Sequence, residues 1–142
     1  MTSQIRIADE EAISSIRPQY HFRPAPEGLL AWDVRRLVRL SRELPVQAVP
    51  LSQIAELDSV HWYGHGSVKP TVRSIIEHCQ LMLAADLAYP IILDSAGRVM
   101  DGMHRVSKAL MQGATQITAV QFERDPAPDY VDCDPDLLPY DD

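Results

Sequence analysis

The chain has 142 residues, a formal net charge of −7 and 46% hydrophobic residues. This length suits a single domain with a real core, and no apolar run approaches the roughly 20 residues that span a bilayer. Residues 1–6 lack the apolar centre of a signal peptide, so we expect a cytoplasmic protein that makes no membrane contact.

The acidic charge is concentrated at one end. From Asp125 onward there are seven acidic residues and no Lys or Arg, so the rest of the chain balances to zero. A neutral body excludes strong nucleic-acid binding on charge alone. We expect residues 125–142 to be a flexible acidic tail or a segment laid over the surface.

The two cysteines are far apart and form no CxxC pair, which predicts two free thiols. Cys79 lies on the apolar side of a predicted helix and is expected in the core. Cys133 lies among carboxylates, which disfavour a reactive thiolate.

Residues 1–45 are predicted to be an N-terminal arm followed by a helix, both packed on the domain. Residues 1–28 contain Pro18, Pro24 and Pro26, which favour an extended segment. Leu30–Leu44 has helical periodicity and ends before Pro45. Another face of that helix carries arginines, which form either a solvated, ion-paired surface or a site for a protein partner or phosphate: Arg35, Arg39 and Arg42.

The middle of the chain predicts a strand over residues 46–54, a shaped loop over 61–67 and a helix from Pro70. An apolar stripe at helical spacing is expected to be buried: Val72, Ile75, Ile76, Cys79, Leu83 and Leu87. In the loop, His61 and His65 could hold zinc. Alternatively, Trp62 or Tyr63 could stack on a ligand, or the loop could simply pack.

The last part predicts a buried strand at Pro90–Leu93, a turn at Asp94–Gly97 and a returning strand with Val99 and Met100. A helix follows over residues 102–112, with an apolar side of Val106, Ala109 and Leu110 and with Gly113 as its C′ residue. A final strand covers residues 117–122. The order of elements predicts an α/β or α+β fold, with a mixed sheet and packed helices over residues 46–124.

The segment Asp101-Gly102-Met103-His104-Arg105 lies at a strand-to-helix joint. Free N–H groups at a helix N-terminus attract phosphate, and arginine and histidine add side-chain donors. These residues therefore predict an anion pocket. The alternative is structural: the glycine only permits a tight turn, and Arg105 pairs with Asp101 or Asp94.

Residues 49–122 resemble the ParB/sulfiredoxin-like superfamily. The resemblance is carried by Val49-Pro50-Leu51-Ser52-Gln53-Ile54, by Tyr89-Pro90-Ile91-Ile92-Leu93-Asp94 with its hairpin, and by Asp101 to Leu110. It implies a nucleoside triphosphate (ATP or CTP) with Mg²⁺, held along Gly102, Met103, His104 and Arg105. It also implies a catalytic role for Asp101 and His104, with Asp101 as a metal ligand. Asp94 is a further candidate for Mg²⁺, and either carboxylate could instead serve as a turn or cap residue.

The departures from the family narrow its functions. Met103 stands where sulfiredoxins place their catalytic cysteine, which excludes that redox chemistry. Partition proteins continue into a helix-turn-helix domain, whereas about twenty acidic residues follow Phe122 here. The sequence therefore predicts a nucleotide-binding protein that is a phosphotransferase or nucleotide hydrolase. The alternatives are a non-enzymatic module that binds a protein partner or DNA in a partition or regulatory system and, more weakly, a ParB-like nuclease.

Overall fold

In the computed structural model, which describes residues 5–63 and 68–140, the chain has an α+β fold. The helices are α1 (Glu10–Ser14), α2 (Val34–Ser41), α3 (Val72–Ala84) and α4 (Met103–Met111). The strands are β1 (Tyr20–Ala25), β2 (Gly28–Asp33), β3 (Gln47–Pro50), β4 (Ile91–Leu93), β5 (Val99–Asp101) and β6 (Gln116–Gln121). Short 3₁₀ turns cover Leu51–Gln53, Ala55–Asp58 and Pro135–Leu137.

Four strands form the predicted mixed sheet, in the order β3-β6-β4-β5. β6 is antiparallel to β3 and parallel to β4, while β5 returns antiparallel to β4. All three residues of β4 are buried, as the apolar run predicted. Ile91 and Leu93 join one core cluster with Val106 of α4, and Ile92 joins a second with Trp32 and Leu37. The sheet is therefore covered on both faces.

The N-terminal region differs from the predicted extended arm and long helix. Residues 20–33 form an antiparallel hairpin of β1 and β2, and the helix begins only at Val34. Asp33 is its N-cap and accepts a hydrogen bond from the Arg35 N–H, a stronger start signal than the periodicity of the leucines before it. The prediction of a helix from Leu30 was therefore wrong in its first turn.

The predicted strand over residues 46–54 is shorter than expected. It ends at Pro50, and a 3₁₀ turn over Leu51–Gln53 follows. Proline has no N–H to continue a ladder. The final strand is confirmed within one residue at each end.

The predicted burial of the apolar stripe on α3 was wrong. No residue of α3 is buried, and Val72, Ile76 and Leu83 are 76%, 50% and 70% exposed. Cys79, expected in the core, is exposed. The side of α3 that is half-buried instead carries Ser74, His78 and Met82, so the helix lies with its apolar stripe outward.

The hairpin turn and α4 follow the prediction closely. The Asp94 N–H donates to Arg98 O at 2.8 Å, and Gly97 has a φ of +84°. Gly113 closes α4 with a φ of +78°, and Val106 and Ala109 are buried. Leu110, placed on the apolar side, is instead 51% exposed.

The acidic tail is laid over the N-terminal hairpin as far as residue 140. The Ala31 N–H donates to Tyr130 O at 3.0 Å, and Trp32 Nε1 donates to Pro126 O at 2.8 Å. Arg23 pairs with Asp125 at 3.0 Å. The tail is therefore held on the hairpin by backbone hydrogen bonds and by charge.

Within residues 5–63 and 68–140, no helix has the length and apolar character needed to cross a membrane.

Candidate functional site

The N-terminus of α4 is the centre of the predicted site, and no side chain among residues 5–63 and 68–140 caps it. Each of the other three α-helices has a side-chain cap that accepts a hydrogen bond from a first-turn N–H group. The caps are Asp9 for α1, Asp33 for α2 and Thr71 for α3. α4 begins after Gly102, which has no side chain to offer. Its first-turn N–H groups are therefore left to an external acceptor, which an anion suits best.

Gly102 is required by its backbone and by its neighbour. Its φ is +114°, and a Cβ built there would lie 2.6 Å from Ile91 Cγ2. The close contact at Gly102 is therefore with a side chain of β4. It brings the start of α4 tightly against the sheet.

Arg105 is held within the protein. Its Nη1 donates to Tyr89 O at 2.9 Å and to Pro90 O at 2.7 Å, and its Nη2 donates to Asp101 Oδ2 at 2.8 Å. The side chain is 16% exposed. The guanidinium therefore links α4 to the residues just before β4. This is the structural alternative given for Arg105 above, in which it pairs with Asp101. Its charge lies beside the start of α4.

The two carboxylates proposed for magnesium have protein partners. Asp94 is fully buried and accepts hydrogen bonds from the Ala96 and Arg98 N–H groups, and it forms ion pairs with Arg98 and Arg23. Asp101 pairs with Arg105. Among residues 5–63 and 68–140, no group of three or more His, Cys, Asp or Glu side chains could hold a metal ion. Neither carboxylate belongs to a site that fits Mg²⁺ as it stands.

His104 belongs to a cluster with two residues from other elements. Its Nε2 lies 2.8 Å from Nδ1 of His78 on α3, so one ring donates and the other accepts. The Trp62 indole stacks over both imidazoles, with ring centroids 4.3 Å from His78 and 4.7 Å from His104. One alternative for this loop was that Trp62 stacks on a ligand. In the structure Trp62 stacks instead on the imidazole rings of His78 and His104.

His78 was missed from the sequence. It lies on the polar face of α3 that was predicted to point outward, because the apolar stripe was assigned to the core. The sequence feature that could have indicated His78 is its spacing from Ser74, since polar residues four apart lie on one face of a helix.

The zinc alternative involved His61 and His65. His65 lies outside the described residues. The ring centroid of His61 is 5.9 Å from that of Trp62, in an edge-on arrangement.

The environment of His104 disfavours protonation of its ring. Burial lowers the pKa of His104 most, and together with the nearby His78, His61, Arg17 and Arg105 it brings that pKa to about 4. Burial also lowers the pKa of His78. Both rings are therefore neutral at pH 7, and the positive charges that act on His104 at that pH are those of Arg17 and Arg105.

The start of α4 opens into a cleft of about 440 Å³ between the N-terminal segment, α2 and the C-terminal end of α3. This volume lies within the range of small-molecule sites. Apolar side chains form much of the lining, including Val34, Val38, Ile92 and Val120. Asp101, Gly102, His104 and Arg105 line it as well, with Arg6 and Arg42. The predicted motif thus borders an apolar cleft rather than an open surface.

The arginine face of α2 is largely ion-paired. Arg39 and Arg42 contact Glu10 of α1 at 3.3 and 3.1 Å, and Arg36 contacts Asp129 of the tail at 3.3 Å. These pairs anchor α1 and the tail to α2. A partner site through Arg35, Arg39 and Arg42 stays a prediction.

Cys79 and Cys133 are both free, as predicted. Burial raises the pKa of the Cys133 thiol, and the charges of Asp132 and Asp134 raise it further. This agrees with the expected low reactivity of that thiol.

Comparison with protein-family models, with curated proteins and with solved structures finds no match to this chain.

Proposed function

We propose that the protein binds a phosphate-bearing small molecule, of which a nucleoside triphosphate is the example implied by the family resemblance. The observation that carries the proposal is the apolar cleft that borders the uncapped N-terminus of α4. The phosphates would accept hydrogen bonds from the N–H groups of residues 103–105. The apolar part of the ligand would lie against Val38 and Val120.

Two further observations support an anionic ligand. Arg17 and Arg105 act on His104 with positive charge. A helix N-terminus adds the equivalent of roughly half a positive charge. A phosphate would therefore enter a positive field without meeting an unpaired carboxylate, since Asp101 is paired with Arg105.

The roles of the motif residues follow from their contacts. His104 borders the cleft and can offer a neutral ring N–H. Arg105 positions the start of α4 and supplies charge, rather than contacting phosphate with the nitrogens that bind Tyr89, Pro90 and Asp101. Met103 is 6% exposed and packs in the core.

The proposal concerns binding and includes no metal-dependent or catalytic step. Transfer or hydrolysis of phosphate requires a positioned nucleophile and charge neutralisation by a metal or cation. The pairing of Asp101 with Arg105 leaves the catalytic assignment of Asp101 and His104, and the Mg²⁺ site, as predictions from the resemblance.

The test compares two nearly isosteric variants, His104→Asp and His104→Asn. Both lose the contact with His78, but only the aspartate adds a negative charge at the proposed phosphate. The affinities for ATP, CTP and inorganic triphosphate are measured by calorimetry and by thermal shift. At 100 times the Kd, we expect a bound ligand to raise the Tm of the wild type by roughly 5–10 °C.

We expect His104→Asp to bind at least about tenfold more weakly than His104→Asn, a difference of about 1.4 kcal/mol. Misfolding is excluded by stability in the absence of ligand. A carboxylate in the first turn interacts favourably with the helix dipole, so the aspartate variant should be at least as stable as the asparagine variant. Equal affinities in the two variants and the wild type would refute the proposed site.

A further inference from the structure

The cleft beside α4 is lined mainly by aliphatic side chains. Ile92 and Val120 on its floor belong to the second core cluster, and Val38 packs against that cluster. The walls include apolar side chains that are between 37% and 64% exposed: Ile7, Val46 and Leu81. Apolar surface is therefore open to solvent along the cleft, and a ligand gains most by covering it.

The polar side chains that line the cleft are engaged by the protein. The hydroxyls of Ser15 and Ser41 donate to the carbonyls of Ala12 and Val38 at 2.7 and 3.0 Å. The charged side chains form ion pairs: Arg6 with Asp86, Arg42 with Glu10, and Arg105 with Asp101. A nucleobase would therefore find few free groups for its ring nitrogens, and a buried polar group without a partner costs free energy.

The rings that line the cleft are engaged as well. Among the lining residues within 5–63 and 68–140, Tyr89 and His104 are those with aromatic rings. The guanidinium of Arg6 lies over Tyr89, 6.0 Å from the ring centroid, and Trp62 stacks on His104. A hydrocarbon chain needs neither stacking nor hydrogen bonds, so the lining suits a chain better than a nucleobase.

The size and charge of the cleft favour a ligand with one phosphate group. A volume of about 440 Å³ holds roughly fifteen water-sized groups, about half the number of non-hydrogen atoms in a nucleoside triphosphate. Three arginines and two aspartates line the cleft, which is an excess of one positive charge. A phosphate monoester carries about −1.5 to −2 at pH 7, whereas a nucleoside triphosphate carries about twice that charge. The lining therefore matches one phosphate group more closely than three.

We propose that the ligand of the cleft is a phosphate monoester of a single aliphatic chain of about ten carbons, such as an alkyl or isoprenyl phosphate. The inference rests on the proposed function for the phosphate end, at the N-terminus of α4, and on the lining of the cleft for the chain. The chain lies over Val38, Ile92 and Val120 and covers the exposed side chains of Ile7 and Leu81.

The test is a series of butyl, hexyl, octyl and decyl phosphate, whose affinities are measured by calorimetry below their critical micelle concentrations. Each added methylene group that leaves water lowers the Kd about threefold to fourfold. The gain ends where the chain fills the cleft, near about ten carbons. Inorganic phosphate, ATP and 1-octanol are the reference ligands, and we expect octyl phosphate to bind more tightly than each of them.

Two variants of α3 test whether the chain occupies the cleft. Leu81→Gln makes one wall polar and should weaken the binding of octyl phosphate about fivefold. Leu83→Gln is the matched control, because it changes an exposed leucine of the same helix outside the cleft, and it should bind octyl phosphate like the wild type. The Tm of each variant without ligand excludes misfolding. Equal weakening in the two variants would place the chain outside the cleft and overturn the proposal.

Three other results would overturn the proposal, and they are distinguishable. Equal affinity for every chain length, with ATP or inorganic triphosphate still bound at residues 103–105, overturns the aliphatic ligand and leaves the proposed function intact. Octanol that binds as tightly as octyl phosphate overturns the phosphate site, and with it both the proposed function and the monoester. Binding to vesicles of phosphatidic acid without binding to free octyl phosphate overturns the cleft as the site.

Discussion

Helices α3 and α4 lie side by side, and they use their apolar residues in opposite ways. α4 buries Met103, Val106 and Ala109, whereas α3 buries no residue and turns its apolar stripe outward. Their N-termini differ as well, because Thr71 caps α3 while α4 has no side-chain cap. α4 therefore packs one face in the core and has its N-terminus at the cleft, whereas α3 contacts His104 with one face and leaves its apolar face exposed.

The largest expected effect is on the free energy of unfolding, when a charge is placed on the buried face of α4 and, for comparison, on the exposed face of α3. Val106 is fully buried, so Val106→Asp should lower the free energy of unfolding by at least about 4 kcal/mol. Ile76→Asp on α3 should cost within about 1 kcal/mol, mostly from helix propensity. Urea denaturation at low micromolar protein measures both. Similar losses in the two variants would show that α3 is packed inward.

The two glycines that bound α4 give a second, smaller contrast. Gly113→Ala should cost about 1 kcal/mol, because its φ is +78° but no atom lies within 4 Å of the new Cβ. Gly102→Ala carries the same backbone strain and adds the contact with Ile91, so it should cost at least about 1 kcal/mol more. The same urea measurement distinguishes them. Equal costs would mean that Ile91 moves away freely.

Acid should destabilise the fold through its buried histidines. Burial lowers the pKa of His21 and of His104 to about 4, while unfolded histidine titrates near 6.5. Between these values the unfolded chain binds more protons, so stability present above pH 6.5 is lost as the pH falls toward 4.

We expect the Tm to fall by about 5 °C between pH 7 and pH 5. His104→Asn should remove roughly half of that pH-dependent loss and leave the part due to His21. An unchanged pH dependence in this variant would show that His104 titrates normally.

The contrast between the helices also shows what the sequence can predict. α4 was located correctly because local signals agree: a short buried strand, a turn with Gly97, a second strand, Gly102 and a closing Gly113. The stripe on α3 was equally regular, but periodicity shows only that a helix has an apolar side. Which side faces the rest of the domain depends on the tertiary pairing, here that of His78 with His104 under Trp62.

The site could be predicted in part for the same reason. The motif is contiguous, so its position at a helix start followed from the sequence. The pairing of Arg105 with Asp101 was predicted only as an alternative. An arginine that pairs with the carboxylate four residues before it and an arginine that binds phosphate have the same sequence pattern. The cleft and the environment of His104 depend on residues distant along the chain, such as Arg17 and His78.

The most direct measurement is an amide NMR titration with inorganic triphosphate, followed by ATP and CTP. Bound phosphate should shift the ¹⁵N–¹H signals of residues 103–105 at the open end of α4 in a saturable way. The Ser74 N–H, which donates to Thr71 Oγ1 at the capped end of α3, should stay within the background. Saturable shifts confined to residues 103–105 and the cleft are the predicted result. Shifts that leave residues 103–105 unmoved, or that fall only on scattered surface arginines, would contradict the phosphate site.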